Sequence, residues 1–284
     1  MFDLVSQFFI EPFAHDFMQR ALLASVMIGA ICSLFSCFLI LRGWSLMGDA
    51  VSHAVLPGLA IAWIVGLPLA VGAFIAGMLC AVSTGYIRSH SRVKEDAVMA
   101  IVFSGMFALG LVMLTKIETD VHLLHILFGN VLGLSFRDVI EVTSISSFAA
   151  LVLLIKRRDF TLCCFDPAHA AAIGLPVRLL DVILLAVLSM TIVAALKAVG
   201  IILVVAMLIT PGATAYLLSR SMGRMMLISA VISVLSCVFG TVISYHLDCA
   251  TAPLIVVIQA LVFVCALAVS RRPRIAKGEN HAPA

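Results

Sequence analysis

Long apolar runs, separated by short charged or Pro/Gly-containing breaks, occupy most of the chain. A helix needs about 20 apolar residues to cross a hydrocarbon core about 30 Å thick. The pattern predicts nine such helices, at about 20–41, 46–65, 67–87, 96–115, 138–155, 179–199, 201–219, 225–245 and 254–270. We therefore expect an all-α membrane protein, a polytopic bundle of eight or nine transmembrane helices at residues 20–270. Residues 1–19 are expected to form an external N-terminal segment and 271–284 a cytoplasmic tail.

The stretch 118–136 departs from this pattern. It contains Glu118, Asp120, His122 and His125, and is too polar and too short for a clean span. It is expected to be either an external loop or a re-entrant segment, which is tolerated only where protein buries its backbone.

Composition excludes a soluble domain of this size. Hydrophobic residues make up 63% of the chain, charged residues 12%, and the mean hydropathy is +1.20. The formal net charge of +3 is too small to indicate a nucleic-acid partner. The eight cysteines lie mostly in apolar runs without a CxxC pair, which is typical of small buried side chains rather than of a disulfide or zinc framework.

Lysine and arginine fall mainly on one side of the predicted helices. By the positive-inside rule that side is the cytoplasm, with the N-terminus outside and the C-terminus inside. The start of the chain has acidic residues and no basic segment ahead of an apolar one, so no cleaved signal peptide is expected and the first span should direct insertion. The residues on the cytoplasmic side are Arg42, Arg88, Arg92, Lys94, Lys156, Arg157, Arg158, Arg178, Arg220, Arg224, Arg271, Arg272, Arg274 and Lys277.

One pair of polar residues stands inside a predicted span. Asp49 and His53 are four residues apart near the start of the second helix, so they share one helix face. An ionisable group in hydrocarbon costs about 2.5–3.5 kcal/mol, so the pair should face a partner or a water-filled path. Carboxylate and imidazole ligands suit Mn(II), Fe(II) or Zn(II). Alternatively, the two side chains satisfy each other or a nearby carbonyl as packing groups.

Three further features could belong to a transport pathway. Pro57-Gly58 and Pro211-Gly212 are predicted to break their helices, and paired breaks in the two halves of a chain point to a pathway, although Pro and Gly are ordinary in membrane helices. Lys197, near the outer end of its span, is a candidate gate, but an ammonium there more often reaches to the membrane interface.

A short helix is predicted in the segment after Lys156, over about 166–174. Asp166 suits the N-cap, Pro167 the first helical position and Gly174 the stop after the last turn. A helix of about two turns is not stable alone. It must dock on its own membrane domain or on a cytoplasmic partner.

Taken together and in order, five segments resemble the permease family of manganese, iron and zinc ABC importers. The resemblance extends from about residue 20 to 270 and implies that Asp49 and His53 contact the metal ion. It also implies that the short helix, with Asp166, Pro167, Ala168, His169, Ala170 and Gly174, is a coupling helix that sits in a groove of the ATPase. The five segments are 45–58, 94–97, 127–133, 165–176 and 197–215.

This family works as two permeases with two ATPases and one external metal-binding protein. The chain has no GxxxxGK[ST] phosphate-binding motif, so ATP is expected on a separate subunit and the chain is expected to be no enzyme itself. The expected cargo is manganese or iron, with zinc acceptable to the same ligands, and the expected location is the bacterial inner membrane. Two permeases, identical or paralogous, would each supply one Asp and one His near a two-fold axis.

Other classes of function share parts of this pattern. A secondary metal transporter driven by an ion gradient could show the same hydropathy and the same Asp/His pair. An intramembrane enzyme is not indicated, since HExxH is absent and no Ser/His or paired-Asp protease motif is evident. A channel or a structural membrane scaffold fits the composition but gives the short capped helix no role.

Overall fold

The computed structural model describes residues 14–116 and 133–270, and every regular element in these ranges is a helix. Most of the predicted N-terminal segment, most of the stretch 118–136 and the predicted tail lie outside the described residues. The helices are α1 (Asp16–Arg42), α2 (Met47–Val65), α3 (Leu69–His90), α4 (Glu95–Leu114), α5 (Phe136–Ile155), α6 (Arg157–Phe165), α7 (Pro167–Ala172), α8 (Val177–Leu218), α9 (Met222–Leu247) and α10 (Thr251–Ser270).

Eight of these helices are long and apolar enough to cross a membrane, within the described part of the chain. The two short ones, α6 and α7, follow α5 directly and connect it to α8. The prediction of an all-α bundle of eight or nine spans is therefore confirmed.

Helix α8 consists of two halves that meet at Gly200. The backbone there has φ 79° and ψ 169°, a region open essentially only to glycine. In the first half, Asp181 pairs with Arg42, and in the second half the Gly212 N–H donates to Ser36 Oγ at 3.0 Å. A straight helix would hold Asp181 and Gly212 about 45 Å apart, yet both contact the same end of α1.

The chain therefore reverses direction at Gly200. Each half of α8 has close to the 20 residues that one crossing needs. The predicted spans 179–199 and 201–219 meet at this residue, so the eight candidate helices contain nine apolar crossing segments.

The two ends of the bundle can be named by the charged residues found there. The Arg42 end contains Arg42, α6, α7 and the start of α8. The Lys197 end contains Lys197, the reversal at Gly200 and the start of α5, because Lys197 Nζ lies 2.7 Å from Asp138 Oδ1.

The expected helix breaks at Pro57-Gly58 and Pro211-Gly212 are wrong. Both pairs lie inside continuous helices, α2 and the second half of α8. Their glycines instead allow close approach of neighbouring backbones, since a Cβ on Gly58 would overlap the carbonyl oxygen of Gly72 in α3. A Cβ on Gly212 would lie 2.7 Å from the Ser36 carbonyl carbon in α1.

Helices α1 and α9 form a tightly packed antiparallel pair. Ser229 Oγ donates to the Ser33 carbonyl at 3.0 Å, and Ser233 Oγ donates to the Gly29 carbonyl at 2.8 Å. Hydroxyl groups that bond across helices are a recurrent way of joining helices where lipid gives no hydrophobic drive. On the other side of the bundle, α2 packs against α3 and α4.

Candidate metal pathway and coupling surface

Asp49 and His53 lie side by side in the first two turns of α2. Asp49 Oδ1 is 3.3 Å from His53 Nε2, and the side chains are 29% and 30% exposed, respectively. The two polar groups therefore share one face of the helix and remain accessible from outside the protomer.

Two aromatic rings of α4 orient the imidazole. The Phe103 ring stacks on the His53 ring at a centroid distance of 5.9 Å, and the Phe107 ring meets it edge-on at 5.2 Å. On the adjoining, buried face of α2, Ala50 and Ala54 pack against Cys80 of α3, and Phe103 packs against the same cluster. The ring is thus held by α4 with its nitrogens near Asp49 rather than in the packed interior.

One chain supplies too few ligands for a metal ion. Among residues 14–116 and 133–270, no group of three or more His, Cys, Asp or Glu side chains is arranged to hold a metal. Transition-metal ions take four to six ligands, so the Asp49–His53 pair would need water or a second subunit to complete a coordination shell.

The short capped helix forms as predicted. The Asp166 carboxylate accepts a hydrogen bond from the His169 N–H at 2.9 Å, Pro167 begins the helix, and Gly174 has a φ of 86°. The helix itself is shorter than predicted, Pro167–Ala172, because Gly174 and Leu175 already bond back to the last turn.

Only part of α7 faces outward. Pro167, Ala168 and His169 are exposed, and so is Gly174, whereas Ala170 is 0% exposed and packs on its own chain. One side of α7 therefore rests on its own chain, whereas docking of the exposed side on a cytoplasmic partner stays a prediction.

Helix α6 was not predicted from the sequence, where the only short helix expected in this segment was at about 166–174. Phe160 is buried edge-on against Phe38 of α1 at a centroid distance of 6.0 Å. Arg42 Nη1 donates to the Cys163 carbonyl at 3.2 Å, and its other nitrogen pairs with Asp181 at the start of α8. Arg42 thereby joins α1, α6 and α8.

This junction makes α6 a fixed support for α7. Burial raises the pKa of the Cys164 thiol to about 11. The sequence signal was weak, because α6 is only nine residues long and begins directly after Lys156 at the end of α5.

Lys197 marks one end of the bundle, whereas the Asp49–His53 pair lies in the first two turns of α2, the helix that follows Arg42. Its Nζ lies 2.7 Å from Asp138 Oδ1 and 3.1 Å from Glu141 Oε2, both in the first turns of α5. These two carboxylates could not be identified from the sequence, since nothing in the spacing along the chain links α5 to residue 197.

Comparison with known proteins identifies the family. The sequence profile of the ABC 3 transport family matches residues 14–270. The chain belongs to the ABC 3 transport family. The family resemblance predicted from the five segments is thus confirmed, and the chain is a membrane-spanning transport subunit rather than an enzyme.

Relatives cover nearly the whole chain. It is 56% identical over 267 residues to the "Chelated iron transport system membrane protein YfeD" of Yersinia pestis, with 94% of this chain and 89% of that protein covered. It is 51% identical over 258 residues to the "Manganese transport system membrane protein MntB" of Synechocystis sp., with 91% and 84% covered.

A solved structure has the same fold. The structure described as PsaBC from Streptococcus pneumoniae in complex with Fab superposes with a TM-score of 0.82 at 36% identity, and 93% of this chain and 95% of that chain are covered. The helical bundle of this chain therefore has the fold of an ABC transporter permease.

Proposed function

We propose that this chain is the permease subunit of an ATP-driven importer of manganese or iron. Two relatives, one named for chelated iron and one for manganese, support this cargo, because each is more than 50% identical to the chain over most of its length. Zinc is acceptable to the same ligand types. The Asp49–His53 pair, with its 3.3 Å separation and accessible side chains, is the observation that carries the proposal.

In this proposal two permeases meet so that their α2 helices face each other. Each contributes Asp49 and His53, which gives up to four ligands at one point. Two carboxylates balance the charge of a divalent ion that has shed water, and so modest a ligand set lets the ion leave again. The second permease is a copy of this chain or a paralogue.

Energy would enter through α7. An ABC ATPase on the Arg42 end would hold the exposed side of α7, with Asp166, Pro167, Ala168, His169 and Gly174, while buried Ala170 anchors α7 to the permease. Movement of α7 would pass through α6 to α1 and α8, because Arg42 of α1 donates to the Cys163 carbonyl in α6 and pairs with Asp181 in α8. ATP is bound and hydrolysed on that partner.

Charge supports the orientation. The Arg42 end carries the excess of lysine and arginine, so we place it in the cytoplasm together with the C-terminus, in a bacterial cytoplasmic membrane.

A metal-binding protein would deliver the ion at the Lys197 end. The two ion pairs of Lys197 support a fixed outer end, and its role as a gate stays a prediction. A pathway role for Pro57, Gly58, Pro211 and Gly212 likewise stays a prediction.

The test is metal uptake by proteoliposomes that contain the permease pair and the ATPase, supplied with the binding protein and ATP. Asp49→Asn and His53→Ala should each abolish ⁵⁴Mn or ⁵⁵Fe uptake and leave assembly and ATPase binding intact. Asp16→Asn is the matched control, since Asp16 is an exposed carboxylate in the first turn of α1. Normal uptake by both site variants would overturn the proposal.

The same vesicles separate an ABC importer from a secondary transporter. The permease without its ATPase should show no uptake under a proton or sodium gradient. Uptake driven by the gradient alone would contradict the proposed energy source.

A further inference from the structure

A groove at the Arg42 end lies between α6 and the first turns of α9. Its volume is about 450 Å³, within the range of about 300–1,000 Å³ typical of small-molecule sites. It is separate from the Asp49–His53 pair and from α7. The residues that line it are Arg157, Arg158, Thr161, Leu162, Phe165, Met222, Gly223 and Met226.

The α6 side of the groove is charged at one end and apolar at the other. Arg157 and Arg158 occupy the first turn of α6, and Leu162 and Phe165 occupy the last turn on the same face. Phe165 is 79% exposed, an unusual position for a large aromatic side chain unless something covers it. The wall opposite is apolar, with Met222 and Met226.

Nothing in the described part of the chain neutralises the two arginines. The nearby carboxylate of Asp159 pairs with Lys156 at 3.3 Å, and neither the Arg157 nor the Arg158 side chain has an ion pair or hydrogen bond among residues 14–116 and 133–270. No acidic residue lines the groove. The site is therefore positively charged and open to an anion.

The start of α9 adds to this potential. Ser221, at its N-cap, makes no capping hydrogen bond with its side chain, and a Cβ on Gly223 would meet no atom within 4 Å. The first amide groups of a helix have no partner within the helix and favour negative charge. At Gly223 no side chain shields them from the groove.

The groove lies beside the ends of two candidate membrane spans, where the membrane surface is expected. It spans the position where α5 ends and α9 begins, and both are candidate membrane spans. Just beyond it, Leu154, Ile155 and Leu227 are 51%, 69% and 66% exposed, as expected for side chains that face lipid tails. An amphipathic ligand could thus place its charge at the arginines and its tail among the apolar residues.

We propose that this groove binds one anionic phospholipid. The phosphate lies between Arg157, Arg158 and the first turn of α9, and the upper part of one acyl chain lies over Leu162 and Phe165. Basic grooves between membrane helices at the headgroup level suit such lipids, and arginine matches phosphate with paired N–H donors. A protein partner is less favoured, because the outward surface of α7 contributes no residue to the groove.

The experiment is native mass spectrometry of the full-length protein, delipidated in a neutral detergent and titrated with dioleoyl phosphatidylglycerol. One tightly bound lipid per chain is expected, with weaker binding of dihexanoyl phosphatidylglycerol, of dioleoyl phosphatidylcholine and of glycerol phosphate. Arg157→Gln/Arg158→Gln should weaken phosphatidylglycerol binding about 30-fold, since each arginine near a membrane surface contributes about a factor of five. The control is Arg178→Gln/Arg220→Gln, which removes two exposed charges from the same end outside the groove.

The outcomes separate the alternatives. Equal phosphatidylglycerol binding by the Arg157/Arg158 variant and the Arg178/Arg220 control would overturn the proposal. So would equal binding of phosphatidylcholine, which carries no net charge. If the Arg157/Arg158 variant instead kept the lipid but lost the ATPase on size-exclusion chromatography, the groove would be a protein interface and the proposal would be wrong.

Discussion

The close contact between Gly58 of α2 and Gly72 of α3 predicts a sharp difference between two glycine substitutions in α3. In Gly72→Ala the new Cβ would overlap the carbonyl oxygen of Gly58 and lie 2.6 Å from the Ala62 Cβ. Carbon atoms pack best at about 3.5–4.0 Å, so the two helices would have to separate by about 1 Å. Neither obstacle can rotate away, because one is backbone and the other is a Cβ.

Gly85→Ala supplies the matched control. Gly85 is in the same helix, and a Cβ there would meet no atom within 4 Å. Both substitutions gain about 1 kcal/mol of helix propensity. Only Gly72→Ala adds the overpacking cost of about 1–3 kcal/mol, so the difference between the two variants isolates the α2–α3 contact.

The assay is thermal unfolding of the purified protein in detergent, together with metal uptake in proteoliposomes. Gly72→Ala should unfold at a lower temperature than Gly85→Ala. It should also import metal more slowly, because the α2 that it displaces carries Asp49 and His53. If the two variants were equally stable and equally active, the close approach of α2 and α3 would not position the site.

Two further predictions concern the Arg42 end. Arg42→Met should destabilise the protein by about 2 kcal/mol or more, since the Arg42 side chain is only 10% exposed and its loss leaves the Asp181 carboxylate without its partner. Lys156→Met should cost less than about 1 kcal/mol, because the Lys156–Asp159 pair is exposed. Equal unfolding temperatures of the two variants would contradict this prediction. Burial raises the pKa of Cys164 to about 11, so its thiol stays protonated well above neutral pH, and iodoacetamide at pH 8 should modify exposed Cys249 and spare Cys164, as mass spectrometry can show. Equal modification of the two would refute the buried position of α6.

The membrane helices could be predicted because a helix that crosses the bilayer needs an apolar run of about 20 residues, which is visible in the sequence. The boundary between spans at Gly200 also emerged from the apolar pattern, although the pattern could not show that the backbone there adopts φ 79°. The caps of α7 were predictable because Asp166, Pro167 and Gly174 act on their own neighbours in sequence. In each of these cases the interactions that determine the structure are between residues close together in the sequence.

Features that depend on packing between distant segments were not predictable. Pro57-Gly58 suggested a broken helix, but the helix is continuous, and the absence of a side chain at Gly58 lets the backbone of α3 pack closely against α2. Helix α6 is held by Phe38 and Arg42, which lie more than a hundred residues earlier, so nothing within its own short sequence revealed it. The Asp49–His53 pair was recognised from its spacing, while the aromatic rings of α4 that hold His53 needed the structure.

In the proposed mechanism His53, beside Asp49, contacts the transported ion. Electron–nuclear double resonance of Mn(II) bound to the purified permease–ATPase complex measures whether an imidazole nitrogen is directly coordinated to the metal. A strong nitrogen coupling is expected in the unmodified protein and in the control variant His15→Ala, which changes an exposed histidine at the start of α1, and should be lost in His53→Ala. A coupling that survives in His53→Ala, or that is absent from the unmodified protein with Mn(II) bound, would contradict direct contact between His53 and the ion.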